Sequence, residues 1–204
     1  MSLEARFVDS ARQAGATATD IALRAVAAEL TARWSEPHRS YHNPAHLRAV
    51  LDEVSHDPIA ALAAWGHDAI YDPRSPANEE RSAQLLASLL SRCGLPSETI
   101  FKAYHLVLMT AGHAPDDSDH RGQLLADADL AILATPWPDY QSYVDAVRAE
   151  YAHVPPELWR IGRAAVLSNL LELPALFRLH PEREESARAN LARELATLTE
   201  DPPA

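Results

Sequence analysis

The sequence predicts an all-α protein, and three features carry that expectation. Apolar residues recur at three- and four-residue intervals and almost nowhere in strict alternation, so the buried faces have the helical period. Prolines fall at the joints between periodic stretches, several directly after an Asn, Asp or Ser suited to capping a helix. Only 6 glycines occur in 204 residues, too few for the tight hairpin turns that a chain of short strands needs.

Taken in order, Thr19 to Trp34 carries Ile21, Leu23, Val26 and Leu30 at roughly helical spacing and stops before Pro37. Asn43-Pro44 opens a second helix, which buries Leu47, Val50, Leu51 and Val54 at i, i+3, i+4 and i+7. Asp57-Pro58 repeats the signal and predicts a helix through Ala60 to about Tyr71, ended by Pro73. Ser75-Pro76 starts a further element with Leu85, Leu86, Leu89 and Leu90 on one face, closed by Gly94 and Pro96. Ser97 is read as the cap of Glu98 to Thr110, and Ala111 to Gly122 as a polar loop with His113 and three aspartates. Gln123 to Ala134 is the next helix, and Thr135-Pro136-Trp137-Pro138 breaks it. Tyr140, Tyr143, Val144, Val147 and Tyr151 mark another amphipathic helix, followed by Pro156 to Leu171 and Pro181 to Leu198. That last stretch alternates Glu and Arg, with Ala187, Leu191 and Leu195 as its buried stripe. No repeat or linker divides the chain, so the expectation is one helical domain over 1–204, with its core at about 33–195 and a frayed tail at 200–204.

Composition narrows the function classes. Hydrophobic residues make up 47% and charged residues 23%, the balance of a folded globular chain. The formal net charge is −11, which argues against a stable nucleic-acid partner, because phosphate-backbone binding draws on clustered cations. A small anionic substrate stays compatible, since a bound metal and a few arginines invert a local potential. The single cysteine, Cys93, cannot form an intrachain disulfide or a cysteine-based zinc cluster. With no apolar run of membrane-spanning length and no leader-like start, the expected location is cytoplasmic and no membrane partner is expected. Homo-oligomerisation is left open.

The unusual count is histidine, at 10. His67 and Asp68 follow Ala60-Ala61-Leu62-Ala63-Ala64-Trp65, so two titratable groups lie near the end of an apolar helix. Desolvating them is costly unless a hydrogen-bonded structural pairing or a divalent cation compensates. His46, in the first turn of the preceding helix, borders the Leu47, Val50, Leu51 and Val54 stripe. His42 precedes that helix; it ranks second for the metal and suits either the helix cap or the substrate. Downstream, Asp127 and Asp129 interrupt an apolar helix, and residues two apart face roughly 200° from each other, so one ion hardly takes both. Asp129 shares its face with Leu125, Ala126, Ile132 and Leu133, the more apolar set, and is the preferred ligand; Asp127 is the supporting group or alternative.

This order of His, then His-Asp, then Asp across successive helices resembles the HD superfamily of metal-dependent phosphohydrolases. The resemblance extends beyond the dipeptide to Arg39-Ser40-Tyr41-His42-Asn43-Pro44-Ala45-His46-Leu47, Ala64-Trp65-Gly66-His67-Asp68-Ala69-Ile70-Tyr71, Asn78-Glu79-Glu80-Arg81-Ser82-Ala83 and Asp127-Ala128-Asp129-Leu130-Ala131-Ile132-Leu133, which look like one predicted branch. Val147-Arg148-Ala149-Glu150-Tyr151 and Ala187-Arg188-Ala189-Asn190-Leu191 are similar to that branch as well. The resemblance implies an HD-like helical bundle in which His46, His67, Asp68 and Asp129 hold one divalent ion between central helices. It also implies cleavage of a small phosphate ester, such as a nucleotide, by a metal-activated water. A second ion would need further histidines, for which only His105, His113 and His120 are placed.

Two imidazoles and two carboxylates suit Mn, Co, Fe, Ni or Zn, with Mg also compatible. Glu80 or Asp68 is the candidate proton acceptor and His113 a candidate acid or phosphate contact. Arg39, Arg81, Arg148 and Arg188 are candidate phosphate clamps, because guanidinium groups fork onto phosphate oxygens. Tyr41, Trp65, Tyr71 and Tyr104 are candidates to stack a base. Two alternatives remain beside hydrolysis: a dinuclear iron oxygenase, and a regulatory module that binds metal or nucleotide without turnover.

Overall fold

The computed structural model describes residues 1–199, and the expected frayed tail at 200–204 lies outside them. Among the described residues there are ten α-helices and two short 3-10 segments, with no strand, as the helical periodicity predicts. The chain divides into two compact units, Met1–Ala128 and Asp129–Ala204.

The first unit is built on α4 (Pro58–Gly66), which packs against α1 (Leu3–Gln13), α3 (Pro44–Glu53), α5 (Asn78–Arg92) and α6 (Ser97–Met109). Every residue of α4 from Ala60 to Gly66 is buried. A helix apolar all round has to be a core helix, and its alanines let four neighbours approach closely. Around it, α2 (Asp20–Trp34) contributes Leu23, Leu30 and Trp34, and α3 contributes Leu47 and Leu51. Two N-caps are supplied as the sequence implies, Asn43 accepting from Ala45 N–H and Asp57 from both Ile59 and Ala60 N–H, and Thr19 caps α2 by accepting from Ala22 N–H.

Helix α1 has no counterpart in the sequence reading. It is capped by Ser2 and buries Leu3, Phe7 and Ala11 at four-residue steps, with Phe7 meeting the edge of Trp65 at 5.5 Å between ring centroids. Four other boundaries move. Helix α4 ends at Gly66 and not near Tyr71; the main chain then turns, with Ala69 N–H donating to Gly66 O. Helix α5 begins at Asn78, because Ser75 closes a turn by accepting from Ala77 N–H. Ser97 is the first residue of α6 and makes no side-chain cap; Pro96 precedes it. Helix α7 (His120–Asp129) starts within the expected loop, and Leu130–Ala134 tightens into a 3-10 segment.

The second unit contains α8 (Trp137–Glu150), α9 (Pro156–Glu172) and α10 (Glu184–Thr199). Tyr140, Leu167, Leu176, Phe177 and Leu191 form its core. A polar network is sealed inside it: Arg163 donates to Glu194 through Nε at 2.7 Å and Nη2 at 3.0 Å, and Tyr140 O–H donates to the same carboxylate at 2.5 Å. Burial, reinforced by the Glu194 carboxylate, pushes the Tyr140 phenol above its ordinary value. Burial works against the Arg163 charge, but Tyr143 and Glu194 outweigh it and hold the guanidinium protonated. Asn190 donates from Nδ2 to Leu133 O and Thr135 O, each at 2.8 Å, so α10 supports the end of the 3-10 segment.

Candidate metal centre

The site starts with how α4 ends. The end of a helix leaves carbonyls short of main-chain partners, and here the last four, from Ala63 to Gly66, are all satisfied. Ala63 O accepts from His67 N–H and Gly66 O from Ala69 N–H. Trp65 O accepts from Trp34 Nε1 at 3.0 Å, and Ala64 O faces His67 Nδ1 at 2.9 Å. A carbonyl oxygen only accepts, so His67 Nδ1 carries the proton. In the neutral ring, Nε2 then presents its lone pair on the other side, the orientation of a metal-ligating histidine.

His67 is 1% exposed, and its Nε2 lies 3.3 Å from the Nε2 of His46, itself buried in the first turn of α3. Asp129, the last residue of α7, completes the set: ligand atoms of His46, His67 and Asp129 all lie within 4.8 Å of one another. With metal–ligand bonds of about 2.0 to 2.2 Å, two donors on one ion stand at most about 4.4 Å apart, so the 3.3 Å between the imidazoles suits a shared ion. Two ring nitrogens facing each other at that distance have to share a proton or a cation. The residues present fit a divalent transition metal: mixed nitrogen and oxygen donors, buried imidazoles and a ring set by its own helix end.

Asp68 stands beside these three. Its Oδ2 is 3.3 Å from His67 Nε2 and 3.9 Å from His42 Nε2. The main chain of Asp68 lies past the end of α4, so the His-Asp pair does not project from a continuous helix as the sequence expectation had it. Asp127 and Asp129 also exchange characters. Asp127 is only 1% exposed, whereas Asp129 is half-buried and is the one grouped with the histidines. Asp129 shares the face with the more apolar residues, yet it is Asp127 that α7 buries more deeply.

Aromatic rings wall the imidazoles. Trp34 lies 5.2 Å from His67 and 6.1 Å from His46, centroid to centroid, and Tyr41 lies 4.8 Å from His46. His42 is half-buried, 4.2 Å from the Tyr71 ring. Trp65, a candidate base-stacking ring from sequence, is 0% exposed and packs in the core, which removes it from any ligand surface.

The turn after the site is held by side chains. Ser82 Oγ accepts from Ile70 N–H and donates to Ile70 O, while Asn78 accepts from Asp72 N–H and donates to Asp72 O and Ser75 O. Sequence reading took the charged pair Glu80 and Arg81 from this motif; both are exposed, and Glu80 accepts from Gln84. The neighbours it passed over, Asn78 and Ser82, are the buried ones, four apart on one helix face. That spacing beside a Pro-rich turn was the available signal.

His113 sits at φ 48° in the loop after α6, half-buried. His105 is exposed on α6 and His120 is exposed at the start of α7. Arg148, in the second unit, donates to Tyr151 O at 2.6 Å and Val154 O at 3.1 Å and covers the Trp159 ring, so its guanidinium fastens the turn after α8. Compared with protein-family models, curated proteins and solved structures, the chain gives no significant match in any of the three. No helix among the described residues is long and apolar enough to cross a membrane.

Proposed function

We propose that the chain is a metal-dependent phosphohydrolase of the HD type acting on a small phosphate ester, with one divalent ion held by His46, His67 and Asp129 and with Asp68 beside them. The observation that carries the reading is the pair of buried imidazoles whose Nε2 atoms face each other at 3.3 Å, one of them oriented by the Ala64 carbonyl. A structural histidine pair has no need of a third, anionic donor; Asp129 supplies one. The resemblance of the flanking segments to the HD superfamily supports the same reading. Among the described residues this is the one group of three or more candidate donors, which favours a mononuclear site over a dinuclear oxygenase.

An ion in this donor set supplies acidification of water and neutralisation of phosphoryl charge, the two contributions phosphate ester hydrolysis needs most. The chain's own groups do the rest. Asp68 is 16% exposed at its side chain, open enough to accept a proton from an attacking water while desolvated enough to hold one geometry. His42, with Nε2 turned toward Asp68, donates to a phosphoryl oxygen. His113 is the candidate that returns a proton to the leaving alkoxide. Trp34 and Tyr41 pack against the imidazoles, which are themselves buried.

The test combines elemental analysis of purified protein with a phosphoester panel assayed in each divalent metal. About one transition-metal ion per chain and metal-dependent phosphate release are expected. His67→Ala and Asp129→Ala should each lose the ion. Full occupancy in either variant refutes the ligand assignment, and nucleotide binding without phosphate release from the loaded protein makes it a binding module.

A further inference from the structure

Arg39 enters from sequence as a phosphate clamp, yet its side chain has 0% exposed surface. Its fork is directed at the protein's own main chain. Nη1 donates to Asp68 O at 2.8 Å and His42 O at 3.1 Å, Nη2 to Ala69 O at 3.3 Å, and Nε to Glu36 Oε2 at 3.1 Å. The guanidinium carbon lies 5.6 Å from the Trp34 ring centre and 5.5 Å from that of Tyr71. One planar cation therefore joins the segment that carries His42 to the turn that carries Asp68, and stacks on the tryptophan that walls both His46 and His67.

We propose that Arg39 is the positioning residue of the metal centre: it sets the His42 loop against the Asp68–Ala69 turn and contacts neither ion nor substrate. The proposal rests on the metal-centre reading above. Its physical basis is the shape of the group. Three carbonyls from two segments converge on one side chain, and only a guanidinium offers enough donors in a fixed plane to meet them while remaining charged in a buried setting. A lysine in its place supplies the charge but not the fork. Groups that orient metal ligands affect affinity without touching the ion, by about 10- to 100-fold in comparable sites.

The experiment uses the full chain with Co²⁺ as probe, titrated into wild type, Arg39→Met, Arg39→Lys and Arg148→Met. The Arg148 variant cuts a similar arginine-to-carbonyl tie in the second unit and controls for general loosening. Folding is followed by circular dichroism, and imidazole resonances are recorded in metal-free protein. The expected result is a folded Arg39→Met with Co²⁺ affinity about 10- to 100-fold weaker, altered Co²⁺ absorption bands, and partial recovery in Arg39→Lys. Resonances of His42, His46 and His67 should move while those of His153 and His180 stay, and Arg148→Met should match wild type in both readouts.

Wild-type Co²⁺ affinity in either folded Arg39 variant overturns the proposal whatever the resonances do. If Arg39→Met does not fold, Arg39→Lys decides by the same criterion. If wild type itself binds no Co²⁺, the metal reading fails, and the metal-free resonances judge Arg39 alone: shifts confined to the three histidines support it, and their absence overturns it.

Discussion

Gly66 closes α4 one residue before His67, and replacing it with alanine sets two effects against each other. Removing a glycine from a helix gains up to about 1 kcal/mol of backbone preference. Against that, an added Cβ would meet Leu86 at 2.5 Å from Cδ2, 2.9 Å from Cγ and 3.0 Å from Cβ. Turning the Leu86 side chain moves Cδ2 and Cγ away but leaves the third contact, because Cβ moves only with the backbone of α5. Overpacking of this kind costs about 1 to 3 kcal/mol, and a clash that reaches Cβ belongs in the upper half of that range. The net expectation for Gly66→Ala is a loss of about 1 to 2 kcal/mol, or a melting temperature lower by about 2 to 8 °C for a chain of this length. Because the displaced segment carries His67, Co²⁺ affinity should fall as well. Gly162, on the outer side of α9, is the control: an added Cβ meets nothing within 4 Å. There the helix preference acts alone, and Gly162→Ala should gain about 0.5 to 1 kcal/mol. Urea unfolding followed by circular dichroism measures both. A Gly66→Ala protein at least as stable as wild type would refute the packing argument.

Glu194→Ala should destabilise the second unit by about 3 to 5 kcal/mol, since it strands the buried Arg163 charge; Arg163→Met combined with Glu194→Leu should recover most of it, and a double-mutant cycle in urea tests this. Cys93 is buried, and that burial lifts its thiol from 9.0 to about 11. It should therefore resist a thiol reagent near neutral pH until the protein unfolds, and fast labelling of native protein would contradict the assignment. The sign of the linked stability follows: the unfolded thiol ionises first, so stability from this group is complete below pH 9.0 and declines as pH rises toward about 11. Alkaline urea titrations of wild type and Cys93→Ala should diverge in that window. Glu184 is opposite in sense. Burial raises it, but the amides of Phe177 and Leu176 and the Arg188 guanidinium together hold it below the ordinary carboxylate value. Its stabilising contribution should fade as pH falls through that lowered value, and Glu184→Gln should flatten the acid limb of the stability curve.

Much of the helical plan was legible because caps and apolar periods are local. Asn43-Pro44 and Asp57-Pro58 start helices where the dipeptides say, with their side chains on the expected amides. Leu3, Phe7 and Ala11 were overlooked because Arg6, Asp9 and Arg12 between them dilute the apolar signal; Arg6 is drawn off to Asp52 at 2.6 Å, a partner 46 residues away. His46 and His67 were readable as costly groups on apolar helices. What was not readable is which polar neighbours are inward. Arg39 looked like a ligand clamp because guanidinium groups suit phosphate, but the same fork suits carbonyls, and only tertiary structure decides which it meets. Asn78 and Ser82 were passed over for Glu80 and Arg81 because charge draws attention in a sequence, while satisfying a buried turn calls for neutral donors and acceptors.

The termination of α4 has one more consequence. Ala64 O, a last-turn carbonyl, is engaged by an imidazole instead of being left to water. The direction of the His67 ring is thus written into helix ending, not into the loop that follows. Any engineering that lengthens α4 for thermal robustness, by placing strong helix formers across 67–71, would alter the backbone that presents this ring and its neighbour Asp68. Stabilising the fold and preserving the centre would then pull in opposite directions along a stretch of five residues.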